Sequence, residues 1–257
     1  MAKVPVIIAE EIGIPSHGKI AKFIFSFIYK LADFVIGESQ GVIDNLKNNY
    51  TINENKLTVI ANFTLFEPSE NNSFTNNNNA FKIVSVSRLE PVKNIEGIIR
   101  VVQKLKQDNI KIKYTIVGEG SSRTVLHDIV KKLDLEKEIE FVGFQKDATN
   151  YYQDSNLYVL NSFSEGFSNS LLEAMYLKIP SVTTNVGAAS EIIKDGINGW
   201  IVTSNDEIEL YQKIRICIGL GTAERIKIGN NAHKTVVENF SLQNHVNKLM
   251  QLYKVKL

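Results

Sequence analysis

Between Lys82 and Thr203 short runs of strand length alternate with stretches whose apolar residues recur at helical spacing, and few folds accommodate that alternation. The strand-length runs are "KIVSVS" (82–87), "IKYTIVG" (112–118), "EIEFVGF" (138–144), "LYVLNS" (157–162), "IPSVTT" (179–184) and "GWIVT" (199–203). Helical patterns fill 94–107, 121–135, 147–155, 168–178 and 188–196. Strands alternating with helices predict βαβ units and a parallel sheet covered on both faces, an α/β fold of Rossmann-like type. Such sheets bind ligands beyond the carboxyl ends of their strands. The loops of interest are therefore 88–94, 118–121, 143–146, 162–168 and 185–188.

Residues 1–66 repeat the alternation in miniature, with about three strands and two helices, too few to cover both faces of a parallel sheet. They read as half of a larger domain. The polar stretch "EPSENNSFTNNNNA" (67–80) has neither period and reads as a linker to a larger unit over 81–240. In the tail, 241–257, Leu242, Val246, Leu249 and Leu252 lie at helical spacing, which predicts a closing helix packed across the parts. "KFIFSFIYKLADFVIG" (22–37) predicts a helix running into a strand, with a core position preferred over contact with a membrane surface.

A net charge of +1 supplies no global field for nucleic acid, so no nucleic-acid partner is expected. One cysteine, Cys217, cannot form an internal disulfide, and no run approaches the ~20 apolar residues of a membrane span. The expected setting is cytoplasmic, with peripheral contact at the inner face of the membrane as the open alternative. The four histidines show no ligand spacing and no Asp-x-Asp pair occurs, so no metal site and no cofactor are expected.

The loop 162–168 carries the chemistry. In "SEGFSNSLLEA" (164–174) two acids, Glu165 and Glu173, flank a segment where a strand ends and a helix begins near Ser168 or Asn169, both good N-caps. The first N–H groups of that helix form an anion site suited to a diphosphate, and Gly166 lets a ligand approach the backbone. Carboxylates repel phosphate but accept hydrogen bonds from sugar hydroxyls, so the pair can bracket a nucleotide sugar. At the same edge Arg88 and Lys93 could neutralise a departing diphosphate. The plain alternative is a capping glutamate, a surface glutamate and solvated cations.

In order, "SVSRLEPVKN", "YTIVGEGSSR", "IEFVGF" and "SFSEGFSNSLLEAMYLKIPSVTTNVGAASEIIKDGINGWIV" resemble the donor domain of retaining family-4 (group 1) glycosyltransferases of the GT-B fold. The resemblance implies transfer of a sugar from a nucleotide sugar to a glycan or lipid-linked acceptor, with retention and without a metal. It implies that Glu173 holds the ribose hydroxyls, that Glu165 orients the donor sugar, and that Arg88 and Lys93 bind the diphosphate. The backbone of Phe167, Ser168, Asn169 and Ser170 would cap that diphosphate. Gly143 and Phe144 would line the base pocket, with a structural turn as the alternative. Gly118, Glu119 and Gly120 would shape the cleft floor. Glu191 is either a site residue or a cap of its own helix.

The same resemblance implies that the front of the acceptor domain is missing from residues 1–66, with Glu10 where the family often has a histidine. Two readings follow. One is a working transferase, with a partner polypeptide supplying the missing half where needed; the other is a nucleotide-sugar-binding module without turnover. A nicotinamide-dependent oxidoreductase is disfavoured, because "GEGSSR" lacks the third glycine of the dinucleotide fingerprint.

Overall fold

A computed structural model describes residues 5–13, 18–64 and 80–256. The first part runs β1 (Ile8–Glu11), α1 (Lys19–Leu31), β2 (Phe34–Gly37), α2 (Gln40–Asn49) and β3 (Leu57–Val59). The second continues with β4 (Phe81–Val86), α3 (Ile95–Gln107), β5 (Ile112–Val117), α4 (Arg123–Lys132), β6 (Ile139–Gly143), α5 (Thr149–Gln153) and β7 (Leu157–Leu160). Then come α6 (Asn169–Tyr176), β8 (Ser181–Thr184), α7 (Ala189–Ile192), β9 (Trp200–Val202), α8 (Glu207–Gly219), α9 (Thr222–Asn239) and α10 (Leu242–Lys256). The expected linker lies, apart from residue 80, outside the described residues.

Both sheets are parallel throughout. The first has the order β1-β2-β3, the second β6-β5-β4-β7-β8-β9. The order of the larger sheet reverses between β4 and β7, where the chain winds outward first one way and then the other. Loops leaving adjacent strands there diverge to opposite faces and open a crevice at the carboxyl edge. The loops after β4 and β7 are 88–94 and 162–168, which carry Lys93 and Glu165.

Successive side chains of a strand point to opposite faces, and two cores result. Ile83, Ile116, Leu157 and Val159 join α3 and α8 in one. Val84, Val117, Tyr158 and Leu160 join α6 and α9 in the other. All four residues of β7 are buried, as a strand covered on both faces requires. The helices α8 and α9, beyond the strand–helix alternation, complete one layer each.

The first part has a smaller core around Tyr29, Val35, Val42, Ile43 and Leu46. Here the expectation of a core position for the greasy helix is corrected. Tyr29 is the buried residue of α1, while Ile20, Phe23, Ile24, Phe27, Ile28 and Leu31 are exposed. The sheet gives the helix one side to pack on, and the opposite side of the helix is bare among the described residues. No helix among the described residues is long and apolar enough to cross a membrane.

Contacts join the two parts. The imidazole of His245 on α10 donates from Nδ1 to the Ala61 carbonyl at 2.9 Å, and its ring lies 4.6 Å from that of Phe63. Asn62 Nδ2 donates to Asn169 Oδ1 at 2.8 Å.

Candidate active site

The crevice loops are fixed from below by buried amides. Asn94, left-handed at φ 46°, caps α3 by accepting from the Gly97 amide at 3.2 Å. Asn161, at the exit of β7, donates to the Asn94 carbonyl at 3.3 Å. The Phe163 amide donates to the Val92 carbonyl at 2.8 Å, so the two loops run side by side. This brings together two residues 72 positions apart: Lys93 Nζ lies 2.5 Å from Glu165 Oε1, and Ser162 Oγ donates to the same oxygen at 2.6 Å. The side chains of Lys93 and Glu165 are only 14% and 12% exposed, so the pair is largely desolvated. Arg88 is exposed; its charge helps hold the Glu90 carboxyl below its ordinary value, behind the two hydrogen bonds from Ser121 that are the main cause.

Across the loop, α6 begins where its sequence predicts. Ser168 is the N-cap and its Oγ accepts from the Leu171 amide at 3.3 Å. The Asn169 and Ser170 amides have no carbonyl one turn earlier to bond to, which leaves positive potential at this end. The side chain of Phe167 turns to Phe240, with ring centroids 5.6 Å apart. Glu173 stands one turn along α6, half-buried. Tyr152 donates to its Oε2 at 2.9 Å and to the Ser170 carbonyl at 3.2 Å. Burial raises the Glu173 carboxyl above its usual range, and the Tyr152 hydrogen bond works against that rise. Tyr158 bonds Ser170 Oγ at 2.8 Å. Tyr152 and Tyr158 hold Glu173 and Ser170 by hydrogen bonds, contacts that the sequence reading did not single out. Two large hydroxyl-bearing rings beside a helix start are a usable signal, because a buried Tyr hydroxyl needs a partner.

The glycines are explained by backbone approach. A Cβ on Gly166 would lie 2.4 Å from the Cα of Gly13, so the first part itself lies against this loop. Gly187, at φ 57°, would place a Cβ 2.4 Å from the carbonyls of both Glu165 and Gly166. A Cβ on Gly120 would meet the Leu89 carbonyl at 2.5 Å. The loop 118–121 is thus packed on the loop that leads to Lys93, with the Leu89 amide donating to the Glu119 carbonyl at 2.8 Å. Glu119 pairs with Arg123. Gly143 turns at φ 75°, and Phe144 beyond it is exposed at the carboxyl end of β6.

Glu191 does not cap its own helix. Its Oε1 accepts from the Gln40 amide at 2.9 Å, and the Gly41 amide also bonds the carboxylate, so it caps α2 in the other part. The reason is geometric: α7 has only four residues, and its third position faces the exposed start of α2.

Facing Gly166 from the first part is Glu38, 6% exposed. Its carboxyl has no hydrogen-bond partner among the described residues. Burial, and then the nearby charge of Glu10, push it up to about 7. A carboxyl that binds its proton more tightly when folded costs nothing below its unfolded value of 4.5 and destabilises progressively as pH rises to about 7. Glu38→Gln is therefore expected to stabilise the fold by roughly 1–3 kcal/mol at about pH 8 and to change little near pH 4. Urea unfolding at the two pH values measures this, and an equal effect at both would remove the titration as its cause.

A family model described as glycosyl transferases group 1 matches residues 67–235. The chain is 29% identical over 196 residues to the N-acetylgalactosamine-N,N'-diacetylbacillosaminyl-diphospho-undecaprenol 4-alpha-N-acetylgalactosaminyltransferase of Campylobacter jejuni, covering 76% of this chain and 53% of that one. It is 26% identical over 247 residues to the capsular polysaccharide biosynthesis glycosyltransferase CapM of Staphylococcus aureus, covering 90% of this chain and 65% of that one. The chain therefore spans between about half and two thirds of the length of these relatives. Among solved structures, Anabaena HepE in complex with UDP superposes with a TM-score of 0.85 at 22% identity, over 96% of this chain and 72% of that one. That likeness establishes the GT-B fold of parallel α/β sheets.

Proposed function

Because the chain belongs to the group 1 glycosyl transferases, we propose that it binds a nucleotide sugar in the crevice between β4 and β7 and transfers the sugar, with retention and without a metal, to a glycan or lipid-linked acceptor. The observation that carries this reading is the largely desolvated Lys93–Glu165 contact beside the capped start of α6. Lys93, Arg88 and the Asn169 and Ser170 amides supply the positive potential that a leaving diphosphate needs. Glu165, held by Ser162 and Lys93, orients the donor sugar. Glu173, with one oxygen on Tyr152, offers the other to the ribose hydroxyls.

In the proposed step the bond from the anomeric carbon to the diphosphate oxygen breaks with oxocarbenium character. The acceptor oxygen bonds to the same face, and its proton passes to the departing phosphate oxygen. The acid pair is thus not the acid and base of a hydrolase. The names of the two relatives, one acting on a diphospho-undecaprenol substrate and one in capsule synthesis, support a glycan or lipid-linked acceptor.

Calorimetric titration with uridine, guanosine and adenosine diphosphates tests the donor site. One of them should bind, and Glu173→Ala should weaken it about tenfold to a hundredfold through loss of a charged hydrogen bond. Affinity unchanged in that variant would take the ribose from Glu173. A second reading, a binding module completed by another polypeptide, is favoured by one observation: β1 lies at the edge of a sheet with only three described strands. It expects the same binding and no sugar transfer by the chain alone.

A further inference from the structure

Lys82, Lys113, Thr115 and Glu140 come from three adjacent strands and share one face of the larger sheet. Lys82 pairs with Lys113 across β4 and β5, while Thr115 has Val84 on one side and Glu140 on the other. Side chains two apart point the same way, so this face also carries Val84 and Val117, which join the core of α6 and α9. A parallel sheet inside a protein ordinarily presents apolar residues on both faces. Here the face turns polar toward the amino ends of the strands, away from the crevice at their carboxyl ends. It opens there into a cavity of about 450 Å³, lined also by Tyr151 and Asp154. Lys82 Nζ lies 2.5 Å from Asp154 Oδ1, and Lys113 Nζ donates to the Lys137 carbonyl. The hydroxyls of Thr115 and Tyr151 and the carboxylate of Glu140 have no hydrogen-bond partner among the described residues.

The lining selects the chemistry of an occupant. An anion would meet Glu140 and Asp154, and a cation would meet Lys82 and Lys113. A saccharide hydroxyl both donates and accepts, so ammonium, carboxylate and hydroxyl groups can all serve it. Tyr151, half-buried against the core, adds aromatic surface for the C–H face of a sugar ring. The volume falls within the roughly 300–1,000 Å³ of small-molecule sites. We infer that this cavity is a second saccharide site, which holds a stretch of glycan on the side of the sheet remote from the crevice. The binding itself is independent of the donor site; its use, to retain an acceptor glycan, rests on the proposed transferase reading.

Amide NMR spectra of the full chain, titrated with maltotriose, cellotriose and chitotriose without nucleotide, test this. With at least one of the three, the amides of Thr115, Glu140 and Tyr151 should shift and saturate, while those of Ser168, Asn169 and Ser170 hold their positions. Lys113→Ala with Glu140→Ala should weaken that binding about tenfold or more. Both side chains are exposed, so the rest of the spectrum should match the parent's. Affinity for a nucleoside diphosphate should be the same in the double variant, so failure of the donor-site titration and failure here are read separately. The inference is overturned if none of the sugars moves these amides, or if the shifts gather at the start of α6 and not here. It is equally overturned if inorganic phosphate alone produces them, or if the double variant binds as the parent does.

Discussion

Replacing Lys93 by alanine should destabilise the fold by about 3–5 kcal/mol and abolish tight binding of a nucleoside diphosphate. The stability loss arises because Glu165 would keep its burial and lose its counter-ion, retaining only the Ser162 hydroxyl. Adding Glu165→Gln should restore most of that stability, since a neutral amide has no uncompensated charge to bury. Affinity should not return, because the cation remains absent from the crevice. The binding defect should also be larger at low salt than at high salt. Urea unfolding of the single and double variants, with calorimetric titration of the double, separates the two effects. Full affinity in the double variant would show that Lys93 serves only to neutralise Glu165.

Gly118→Ala is expected to be comparably damaging although no ligand need touch it. Gly118 has φ 139°, which side chains rarely adopt, and an added Cβ would lie 1.8 Å from the Ser87 carbonyl oxygen. Strained backbone contributes about 1–3 kcal/mol and overpacking a similar amount, so a loss of about 4 kcal/mol is expected. The displaced partner is the loop of residues 87–90, which leads to Lys93. The variant should therefore also bind nucleotide more weakly than its residual folded fraction explains. Thermal unfolding followed by titration well below the midpoint measures both. A midpoint within a few degrees of the parent's would mean that the two loops separate easily.

Much of this was legible in local sequence. The switch of period from two to 3.6 located the strands β4 to β9 and the helices between them, and the buried run "LYVL" marked a strand covered on both sides. Ser168 announced its helix through cap chemistry alone. The partners were not legible. Lys93 could be read as a phosphate ligand, but nothing local sets it on Glu165 across 72 residues. The glycines at 118, 120 and 166 resemble ligand-approach positions, and in the fold they admit other backbone segments. Glu191 reads as the acid of its own short helix, and only the packing of one part on the other turns it toward Gln40. The reading of α1 failed because an apolar stripe signals burial only when something is present to cover it.

The cap that Glu191 provides has a consequence for movement. Any parting of the two halves must break it. Parting them strips the carboxylate from the first amides of α2 and strands an acid whose proton affinity burial has already raised. A lost helix cap costs about 1 kcal/mol, which would bias the resting molecule toward the shut arrangement by roughly fivefold. One carboxylate would then set how often the two halves separate.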